Sequence, residues 1–362
     1  NDIHKNKKIL FTSNFQEISN VDFIILCLPT PLKKNKLPDL SYIKKTMNLI
    51  KKYLKPHQAI SLESTTYPGT TREIIFPVLN KKFKIGENFF LIYSPEREDP
   101  GRKNIKLQNI PKVLGGYSVN CKKIGAEFYK RLFKKIVLTK NLETAEFTKI
   151  FENVFRAVNI SLVNEIKNFS EKMRVNFSDV INASKTKPFG FMPFYPGPGI
   201  GGHCIPIDPF YLSYKAKQKG SKMRLIETSF KINYLTTKNI TRTIINKLKK
   251  KASKVLVLGI AYKKNIDDVR ESPALTIIKD LKKKGILVDY HDPFIKALPK
   301  NRNFYVEMKS KSLSIKMIKK YDGVFICTDH DNINYNLIYK YSKLIFDSRN
   351  VFKNDSKKVI RV

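Results

Sequence analysis

The chain has 362 residues, of which 69 are Lys or Arg and 31 are Asp or Glu, giving a net charge of +38. This length is enough for two or three domains with a sizeable core. The sequence has no apolar run long enough to span a membrane and no leader-like pattern of basic, apolar and small residues. These features argue against membrane insertion and secretion, and we expect a cytoplasmic protein.

The positive charge is spread along the chain as lysine clusters on the polar faces of amphipathic segments, such as Lys44-Lys45, Lys51-Lys52 and Lys282 to Lys284. Lysine far outnumbers arginine and no basic stripe interleaved with aromatic residues occurs, so we expect no nucleic-acid partner. A positive balance still favours a small anionic ligand. The four cysteines and five histidines are dispersed without a C-x-x-C pair, which argues against a disulfide framework and against a metal site.

The first part of the chain alternates short apolar runs, which predict strands, with segments of helical periodicity. The strands are predicted at Val21 to Leu28, Ala59 to Leu62, Phe89 to Tyr93 and Ile136 to Leu138, and the helices at Leu40 to Leu54 and Lys122 to Leu132. Alternation of strands and helices is typical of a parallel α/β sheet.

From Thr144 the pattern becomes helical. Apolar residues recur at helical spacing and predict one packed face of a long helix, at Phe147, Ile150, Phe151, Val154, Val158, Leu162, Ile166 and Phe169. A second long helix is predicted from about Lys222 to Lys250. The middle of the chain is therefore predicted to be helical.

The α/β rhythm returns at Lys254. Ser272 and Pro273 predict the start of a helix that runs to Lys284. Further strands are predicted at Val255 to Leu258, Ile286 to Tyr290, Val324 to Cys327 and Leu344 to Phe346. We therefore predict an α/β fold in which two Rossmann-like parallel-sheet domains are joined by a helical central domain. The domain boundaries are predicted at 1–142, 143–251 and 252–362, and the loops after the strands are expected to bind ligands.

One G-x-G-x-x-G pattern occurs, at Gly197, Gly199 and Gly202. No predicted strand precedes it and neighbouring prolines oppose a helix after it, so it does not predict the phosphate-binding turn of a dinucleotide fold. The segment from Val21 to Leu28 behaves as a later strand of its sheet, and the chain begins with Asn1 rather than Met. We therefore expect the first domain to be N-terminally incomplete and the chain to bind a dinucleotide poorly.

A loop rich in proline and glycine, from Pro188 to Pro209, carries Cys204 and Asp208 four residues apart. Proline restricts the backbone and glycine allows a ligand to approach it closely, so this loop is expected to be shaped and stiff. A single thiol on such a loop suggests a positioned nucleophile. The alternative is a structural connection with a buried cysteine.

Several motifs follow one another along nearly the whole chain, namely Leu28-Pro-Thr-Pro-Leu32, Ser94-Pro-Glu-Arg97, Lys149-Ile-Phe-Glu-Asn153, Gly197 to Pro209 and Gly259-Ile-Ala-Tyr-Lys263. Together they resemble the UDP-glucose/GDP-mannose dehydrogenase family. Within that family, the segments Thr186 to Pro196 and Ser94 to Gly101 are most similar to UDP-N-acetylglucosamine 6-dehydrogenases. The resemblance implies an NAD-dependent, four-electron oxidation of a UDP-sugar C6 alcohol to the uronic acid, for surface polysaccharide synthesis.

The resemblance also implies catalytic roles for residues of the loops. Cys204 matches the nucleophile that captures the C6 aldehyde as a thiohemiacetal and then carries the thioester. Glu96 matches the residue that assists water in thioester hydrolysis, while Asp208 and Thr66 match groups that order water and substrate near C6. From spacing alone, Asp208 could equally form a turn. We assign no catalytic role to His203, because neighbours on a loop often point apart.

Lys149 and Asn153 lie four residues apart, hence on one helix face, and outside the apolar stripe of that helix. By resemblance, the lysine stabilises negative charge developing on oxygen and the asparagine positions substrate or water. Without the other motifs, a solvated helix face would explain both residues.

The resemblance implies binding residues at the strand ends. NAD is expected to contact Leu28, Pro29, Thr30, Pro31, Thr65 and Arg270. The sugar is expected to lie against Tyr195, Gly197, Gly199 and Gly201, and the UDP moiety against Tyr262, Lys263 and Arg349, since cations at strand ends suit a diphosphate. A homodimer formed through the helix from Lys222 to Lys250 is also implied, although the apolar positions of that helix could instead pack inside one chain.

A second function remains open at this point. Because the NAD phosphate turn is absent from the sequence, the chain could be a nucleotide-sugar-binding protein without dehydrogenase activity. The presence of Cys204, Lys149, Asn153, Glu96 and Asp208 favours the enzyme.

Overall fold

The computed structural model describes residues 9–98, 105–248, 252–298, 307–354 and 356–362. The chain forms two compact units, of which unit 1 comprises Asn1–Glu152 and Phe210–Ser221, and unit 2 comprises Asn153–Pro209 and Lys222–Val362. The end of the predicted helix at 249–250 and the last part of the Ser94 motif, at 99–101, lie outside the described residues. The three predicted domain boundaries stay predictions.

Unit 1 contains a five-stranded sheet with the strand order β1-β2-β3-β4-β5. The strands are β1 (Phe23–Leu26), β2 (Ala59–Leu62), β3 (Phe90–Tyr93), β4 (Lys112–Gly116) and β5 (Ile136–Leu138). The described helices of this unit include α1 (Ser41–Ile50), α2 (Phe76–Leu79) and α3 (Val119–Lys130), while α4 (Leu142–Lys172) and α6 (Asp208–Gln218) contribute residues to both units. The four strands predicted from sequence are confirmed.

Strand β4 is the departure from the predicted parallel sheet. It pairs antiparallel with β3, with Ile92 opposite Gly116 and Tyr93 opposite Gly115, whereas the other pairs of this sheet are parallel. Two glycines at the end of a short run weaken its strand signal, which is why the sequence did not reveal it. The reversed direction places Lys112, the first residue of β4, at the same edge as the carboxyl end of β3.

One part of the core of unit 1 lies between its sheet and α3. Buried residues of β2, β3 and β4 pack against Cys121, Tyr129 and Phe133. On the same face, the rings of Phe23 and Phe128 stack with centroids 3.8 Å apart. The apolar face of α3 therefore fixes the sheet whose strand ends carry the predicted cofactor residues.

Unit 2 contains a second five-stranded sheet, all parallel, with the order β10-β9-β8-β6-β7. Its strands are β6 (Lys254–Leu258), β7 (Leu287–His291), β8 (Gly323–Ile326), β9 (Ile345–Asp347) and β10 (Val359–Arg361). The described helices of this unit include α5 (Phe177–Ser184), α7 (Arg224–Leu248), α8 (Pro273–Lys283), α9 (Ile315–Ile318) and α10 (Tyr335–Tyr341). The chain leaves β6 for β7 on one side and returns to β8 on the other, so the strand order reverses between β6 and β8. Open α/β sheets bind ligands at the carboxyl ends of strands beside such a reversal.

Helix α8 begins as the sequence predicts. Ser272 accepts a hydrogen bond from the backbone N–H of Ala274, and Pro273 occupies the first turn. Helix α7 packs Ile240 and Ile244 into the same core as α8. Some apolar positions of α7 are therefore buried within the chain, as the alternative expected, while the predicted homodimer through this helix stays a prediction.

Helix α4 exposes much of its predicted packed face. Ile150 is fully buried, but Leu162 and Phe169 are 47% and 63% exposed. Apolar periodicity identifies a helix face that packs against another surface, but it does not identify that surface. The sequence therefore could not tell which apolar residues of α4 are buried within this chain and which are exposed. Among the described residues, no helix combines the length and apolar character needed to cross a membrane.

Candidate functional site

The loop that precedes α6 presents Cys204. Of the four cysteines, Cys121 and Cys327 are buried, whereas Cys27 and Cys204 are exposed. The backbone N–H groups of Ile207 and Asp208 donate to the carbonyl oxygen of Cys204 at 3.0 and 2.8 Å, which closes a tight turn into the helix. The thiol is therefore exposed on a fixed backbone, in contrast to the alternative of a buried structural cysteine.

Asp208 and Asn153 form a buried pair within unit 2. The amide Nδ2 of Asn153 donates to Oδ2 of Asp208 at 2.6 Å, and the two residues are 3% and 4% exposed. Because Asp208 is also bonded through its backbone to Cys204, the structure brings these three predicted catalytic residues together. The pairing explains the asparagine better than a solvated helix face does.

Arg270, predicted to bind the cofactor, lies beside the cysteine loop. Its carbonyl oxygen accepts the N–H of Gly202 at 2.9 Å, and its guanidinium is held by the carboxylate of Asp268. The guanidinium interacts electrostatically with Cys204. The pKa of His203 is lowered, first because desolvation disfavours the charged imidazolium and then because Arg270 repels it. A fixed cation therefore lies beside the loop that carries the thiol.

The glycines of the loop pack against residues of the strand-end loops. A Cβ atom on Gly197 would lie 2.6 Å from Nη1 of Arg349, and one on Gly201 would lie 2.7 Å from Cβ of Tyr262. Gly201 has no room for a side chain, because the Cβ of Tyr262 is fixed to its backbone, whereas a side chain at position 197 would require the guanidinium of Arg349 to shift. Gly199 approaches Thr237 of α7 in a similar way. The sequence predicted contact with a sugar at these glycines, which stays a prediction, and the structure adds their contacts with protein side chains.

A cavity of about 420 Å³ lies next to Arg349 in unit 2. Tyr195 and Arg349, two of the predicted substrate residues, line this cavity, together with Lys167, Arg174 and Arg361. Glu171 and Asp347 supply the carboxylates of the lining, so cations are in excess. Its size lies in the range of small-molecule sites. An excess of cations suits an anionic ligand.

Lys263 lies on the turn after β6, beside the reversal of strand order. The preceding residue, Tyr262, is in contact with the glycines of the cysteine loop. Arg349 follows β9, and its Nε donates to the carbonyl oxygen of Cys327, which follows β8, at 2.7 Å. Two predicted UDP-binding cations are therefore carried by strand ends of one sheet.

In unit 1, Ser64 joins the segments that follow β1 and β2. The backbone N–H of Leu28 donates to the Ser64 hydroxyl at 2.7 Å, and that hydroxyl lies 2.8 Å from the carbonyl oxygen of Leu28. Farther along the first segment, Thr30 is buried, and the carbonyl oxygen of Pro31 accepts the Tyr211 hydroxyl at 3.1 Å. The predicted cofactor segment from Leu28 to Pro31 is thus fixed at both ends.

Thr66, after β2, is fully buried, and its hydroxyl has no hydrogen-bond partner among the described residues. A buried hydroxyl without a partner is costly, so this oxygen is suited to bind a water or a ligand. The adjoining turn is held by Glu146 of α4, whose carboxylate accepts the backbone N–H groups of Gly69 and Thr71. Burial raises the pKa of Glu146 to about 7.

Glu96, after β3, is fixed by its own backbone and by β4. One carboxylate oxygen accepts the N–H groups of Arg97 and Glu98 at 2.7 and 2.8 Å. The other lies 3.4 Å from Nζ of Lys112, which is itself 3.0 Å from Glu63. Lys112 is 3% exposed, whereas the Glu96 side chain is 43% exposed. The carboxylate is therefore held in place and remains accessible to water.

Two residues of this site, Ser64 and Lys112, were not predicted from the sequence. Ser64 had no signal beyond its place in the loop from Glu63 to Gly69. For Lys112 the sequence did offer a signal, because this lysine is a single charged residue at the start of the apolar run Val113-Leu114. Lys149, which the sequence did single out, is half-buried on α4, one turn before Asn153.

The chain matches the sequence models of one family along most of its length. The UDP-glucose/GDP-mannose dehydrogenase family is matched by its NAD binding domain at residues 1–133, its central domain at 143–234 and its UDP binding domain at 256–354.

Individual relatives agree with this match. Protein CapL of Staphylococcus aureus is 33% identical over 364 residues, which cover 97% of this chain and 84% of CapL. The UDP-N-acetyl-D-glucosamine 6-dehydrogenase of Pseudomonas aeruginosa is 30% identical, over 96% of this chain and 84% of the relative. The solved UDP-D-ManNAc dehydrogenase of Pyrococcus horikoshii superposes with a TM-score of 0.85 at 30% identity, covering 96% of this chain and 82% of that one.

Proposed function

Since the chain belongs to the UDP-glucose/GDP-mannose dehydrogenase family and is an NAD-dependent nucleotide-sugar dehydrogenase, we propose that it oxidises UDP-N-acetylglucosamine to the uronic acid through Cys204. The observation that carries the proposal is the exposed Cys204 thiol on a turn bonded to the buried pair Asp208 and Asn153. A thiol whose backbone is fixed in this way is suited to covalent catalysis.

The UDP moiety is proposed to bind at the strand ends of unit 2. Lys263 and Arg349 supply positive charge for the diphosphate, and the guanidinium of Arg349 is already oriented by the Cys327 carbonyl. Tyr262 and Tyr195 supply rings beside these cations. The cationic cavity that Arg349 and Tyr195 line supports this placement, because its lining attracts an anion.

The described residues of unit 1 fit the NAD cofactor in part. The buried hydroxyl of Thr66 lacks a partner, which marks the carboxyl end of β2 as a place for a bound group. Ser64 fixes the Leu28 backbone, so Leu28 to Pro31 and Thr65 would hold the nicotinamide end. When bound, NAD+ accepts one hydride in each of the two oxidations.

Cys204 is proposed to retain the substrate between the oxidations. Its thiolate adds to the C6 aldehyde and forms a thiohemiacetal, whose oxidation leaves a thioester. Water then cleaves the thioester to the carboxylic acid and restores the thiol, so the sulfur is not consumed. Arg270, which interacts electrostatically with Cys204, favours the thiolate.

The remaining catalytic residues are proposed to handle protons and charge. Lys149 stabilises negative charge on the sugar oxygen. Asn153 and Asp208, fixed by their mutual hydrogen bond, position substrate and water. Glu96 accepts a proton from the hydrolytic water, and the Thr66 hydroxyl orders water near C6.

We further propose a cytoplasmic role in surface polysaccharide synthesis and a homodimeric state. The dimer would use the α4 stripe, which we define as Phe155, Leu162, Ile166, Phe169 and Met173. All five residues are at least 40% exposed. The first four recur at helical spacing along unit 2's part of α4, and Met173 follows the last residue of that helix. An exposed stripe of large apolar residues is typical of an interface.

Product analysis tests the proposed reaction. We expect two NADH and one uronic acid for each UDP-N-acetylglucosamine, and lower kcat/KM with UDP-N-acetylgalactosamine, UDP-N-acetylmannosamine and UDP-glucose. One NADH with a free aldehyde as product would overturn the role of Cys204. Binding of the UDP-sugar without any NADH formation would instead favour the nucleotide-sugar-binding protein.

A further inference from the structure

The turn that carries Lys263 is held at its start by Asp292, which follows β7. Oδ2 of Asp292 accepts the backbone N–H groups of Ile260 and Ala261 at 2.7 and 3.1 Å. Oδ1 accepts two further N–H groups from the loop after β7. Burial works to raise the pKa of Asp292, but the hydrogen bonds from His330 and the backbone outweigh it and hold the pKa below its ordinary value. Asp292 is therefore a buried carboxylate.

The turn is held at its end through Asn265. This residue has a φ of +60°, a conformation that is unfavourable for most residues. Its backbone N–H donates to Nδ1 of His330 at 3.0 Å. Its side chain donates to Asp331 at 2.6 Å and accepts the N–H of Asp331 at 3.1 Å. The loop after β8 therefore fixes the residue at which the turn closes.

These contacts determine the tautomer of His330. A backbone N–H can only donate, so Nδ1 of the imidazole must be the acceptor and the ring proton must lie on Nε2. Nε2 is 3.2 Å from Oδ2 of Asp292, and both side chains are fully buried. The ring of Phe294 packs beside the imidazole at a centroid distance of 5.0 Å. A single hydrogen-bonded chain thus runs from Ile260 through Asp292 and His330 to Asn265.

We propose that His330 is a positioning residue for nucleotide binding, which acts with Asp292 to fix the turn from Ile260 to Asn265 and thereby the backbone of Lys263. The inference rests on the proposed role of Lys263 as a diphosphate cation. His330 itself does not contact the substrate in this scheme. A turn that is ordered in advance does not have to be ordered on binding, which strengthens affinity without changing the chemical step.

Two substitutions distinguish the roles of the two imidazole nitrogens of His330. In His330→Asn the amide oxygen can replace Nδ1 as the acceptor for the Asn265 N–H, whereas in His330→Gln the amide reaches towards the Nε2 position and leaves that N–H unpaired. We expect His330→Gln to weaken UDP binding in calorimetry roughly 10-fold or more, and His330→Asn to weaken it much less. We expect KM for the UDP-sugar to rise in the same order while kcat changes by less than about twofold, because the reacting groups are untouched.

The outcomes are distinguishable. Equal UDP affinity in the wild type and both variants, or a loss confined to kcat, would overturn the positioning role. Absence of UDP binding by the folded wild-type chain would instead refute the proposed nucleotide site. If His330→Gln does not fold, the imidazole ¹⁵N chemical shifts of the wild type still decide, because a proton on Nδ1 of His330 contradicts the geometry and a proton on Nε2 supports it.

Discussion

At the scale of single residues, the Cys204 side chain is exposed, while the backbone carbonyl oxygen of the same residue accepts hydrogen bonds from two backbone N–H groups. The backbone position of the thiol therefore depends on the turn and not on the sulfur itself. Substitution at the sulfur should leave the turn in place and remove only the covalent chemistry.

We expect Cys204→Ala to lower acid formation at least about 1,000-fold while UDP-N-acetylglucosamine binding, measured by calorimetry, is retained. Cys27→Ala is the matched control, since Cys27 is also exposed and has no proposed role, and it should retain turnover. If Cys204→Ala lost binding as severely as turnover, the thiol would be structural.

The Asn153 and Asp208 pair gives a second prediction at this scale. Asn153→Asp would place two carboxyl groups at the 2.6 Å separation of the present hydrogen bond, in a buried position. Two such groups cannot both ionise, so the pKa of the pair must rise above its value in the unfolded chain. A raised folded-state pKa means that stability is lost as pH increases.

We therefore expect Asn153→Asp to be destabilised by about 2 kcal/mol or more at pH 8 and by less at pH 5, as measured by urea unfolding. Asn153→Ala is the control, since it removes the hydrogen bond without adding a second carboxyl group, and its cost should depend on pH less than that of Asn153→Asp. A cost of Asn153→Asp that did not depend on pH would contradict the buried geometry.

At the scale of elements, one carboxylate of α4 holds the turn that follows β2. Glu146 accepts the N–H groups of Gly69 and Thr71 and is fully buried. Helix α4 is thereby connected to the segment that carries Thr65 and Thr66. The Glu146 carboxyl group that makes this connection is ionised at high pH and protonated at low pH, because burial raises its pKa from 4.5 to about 7.

The pKa shift predicts how stability varies with pH. Between pH 4.5 and 7 the folded chain retains a proton that the unfolded chain has released, so stability falls as pH rises across this interval. The contribution is roughly 3 kcal/mol. We expect Glu146→Gln to remove this part of the dependence of stability on pH, as measured by urea unfolding from pH 4.5 to 8. The variant also loses the hydrogen bond from the Gly69 N–H. An unchanged slope in the variant would show that Glu146 is not the titrating group.

At the scale of the whole molecule, the proposed homodimer has to bring together the α4 stripes of two positively charged copies. A net charge of +38 opposes the approach of two copies, so an interface must be apolar enough to overcome that repulsion. The five large side chains of the α4 stripe supply such a surface.

We expect a homodimer in analytical ultracentrifugation at moderate salt, and a monomer after Leu162→Glu, because a charge within an apolar interface is strongly unfavourable. Leu49→Glu is the matched control, since Leu49 of α1 is 51% exposed and lies outside the stripe. A wild-type monomer, or dissociation caused equally by both variants, would contradict the proposed interface.

The sequence alone was sufficient for elements whose signal is local. Strands β2 and β5 have the bounds that the apolar runs predict, and Ser272 and Pro273 start α8 where expected. The sequence missed α6, which begins at Asp208, because prolines before it indicated a loop. It also missed β4, whose glycines weaken the strand pattern.

Motifs in the sequence likewise identified the family and the candidate residues of each loop, because those residues are read one segment at a time. Only the tertiary structure decided which residues meet. Asn153 pairs with Asp208 across 55 positions of the chain, and the Gly69 turn is held by Glu146 across 77. Hydrogen bonds join His330, which follows β8, to Asn265 after β6 and to Asp292 after β7. These three strand ends are adjacent only because the sheet is ordered β8-β6-β7. Local periodicity predicts the secondary structure of a single segment. The pairings named above depend on contacts between distant segments, and such contacts form only when the tertiary fold is assembled.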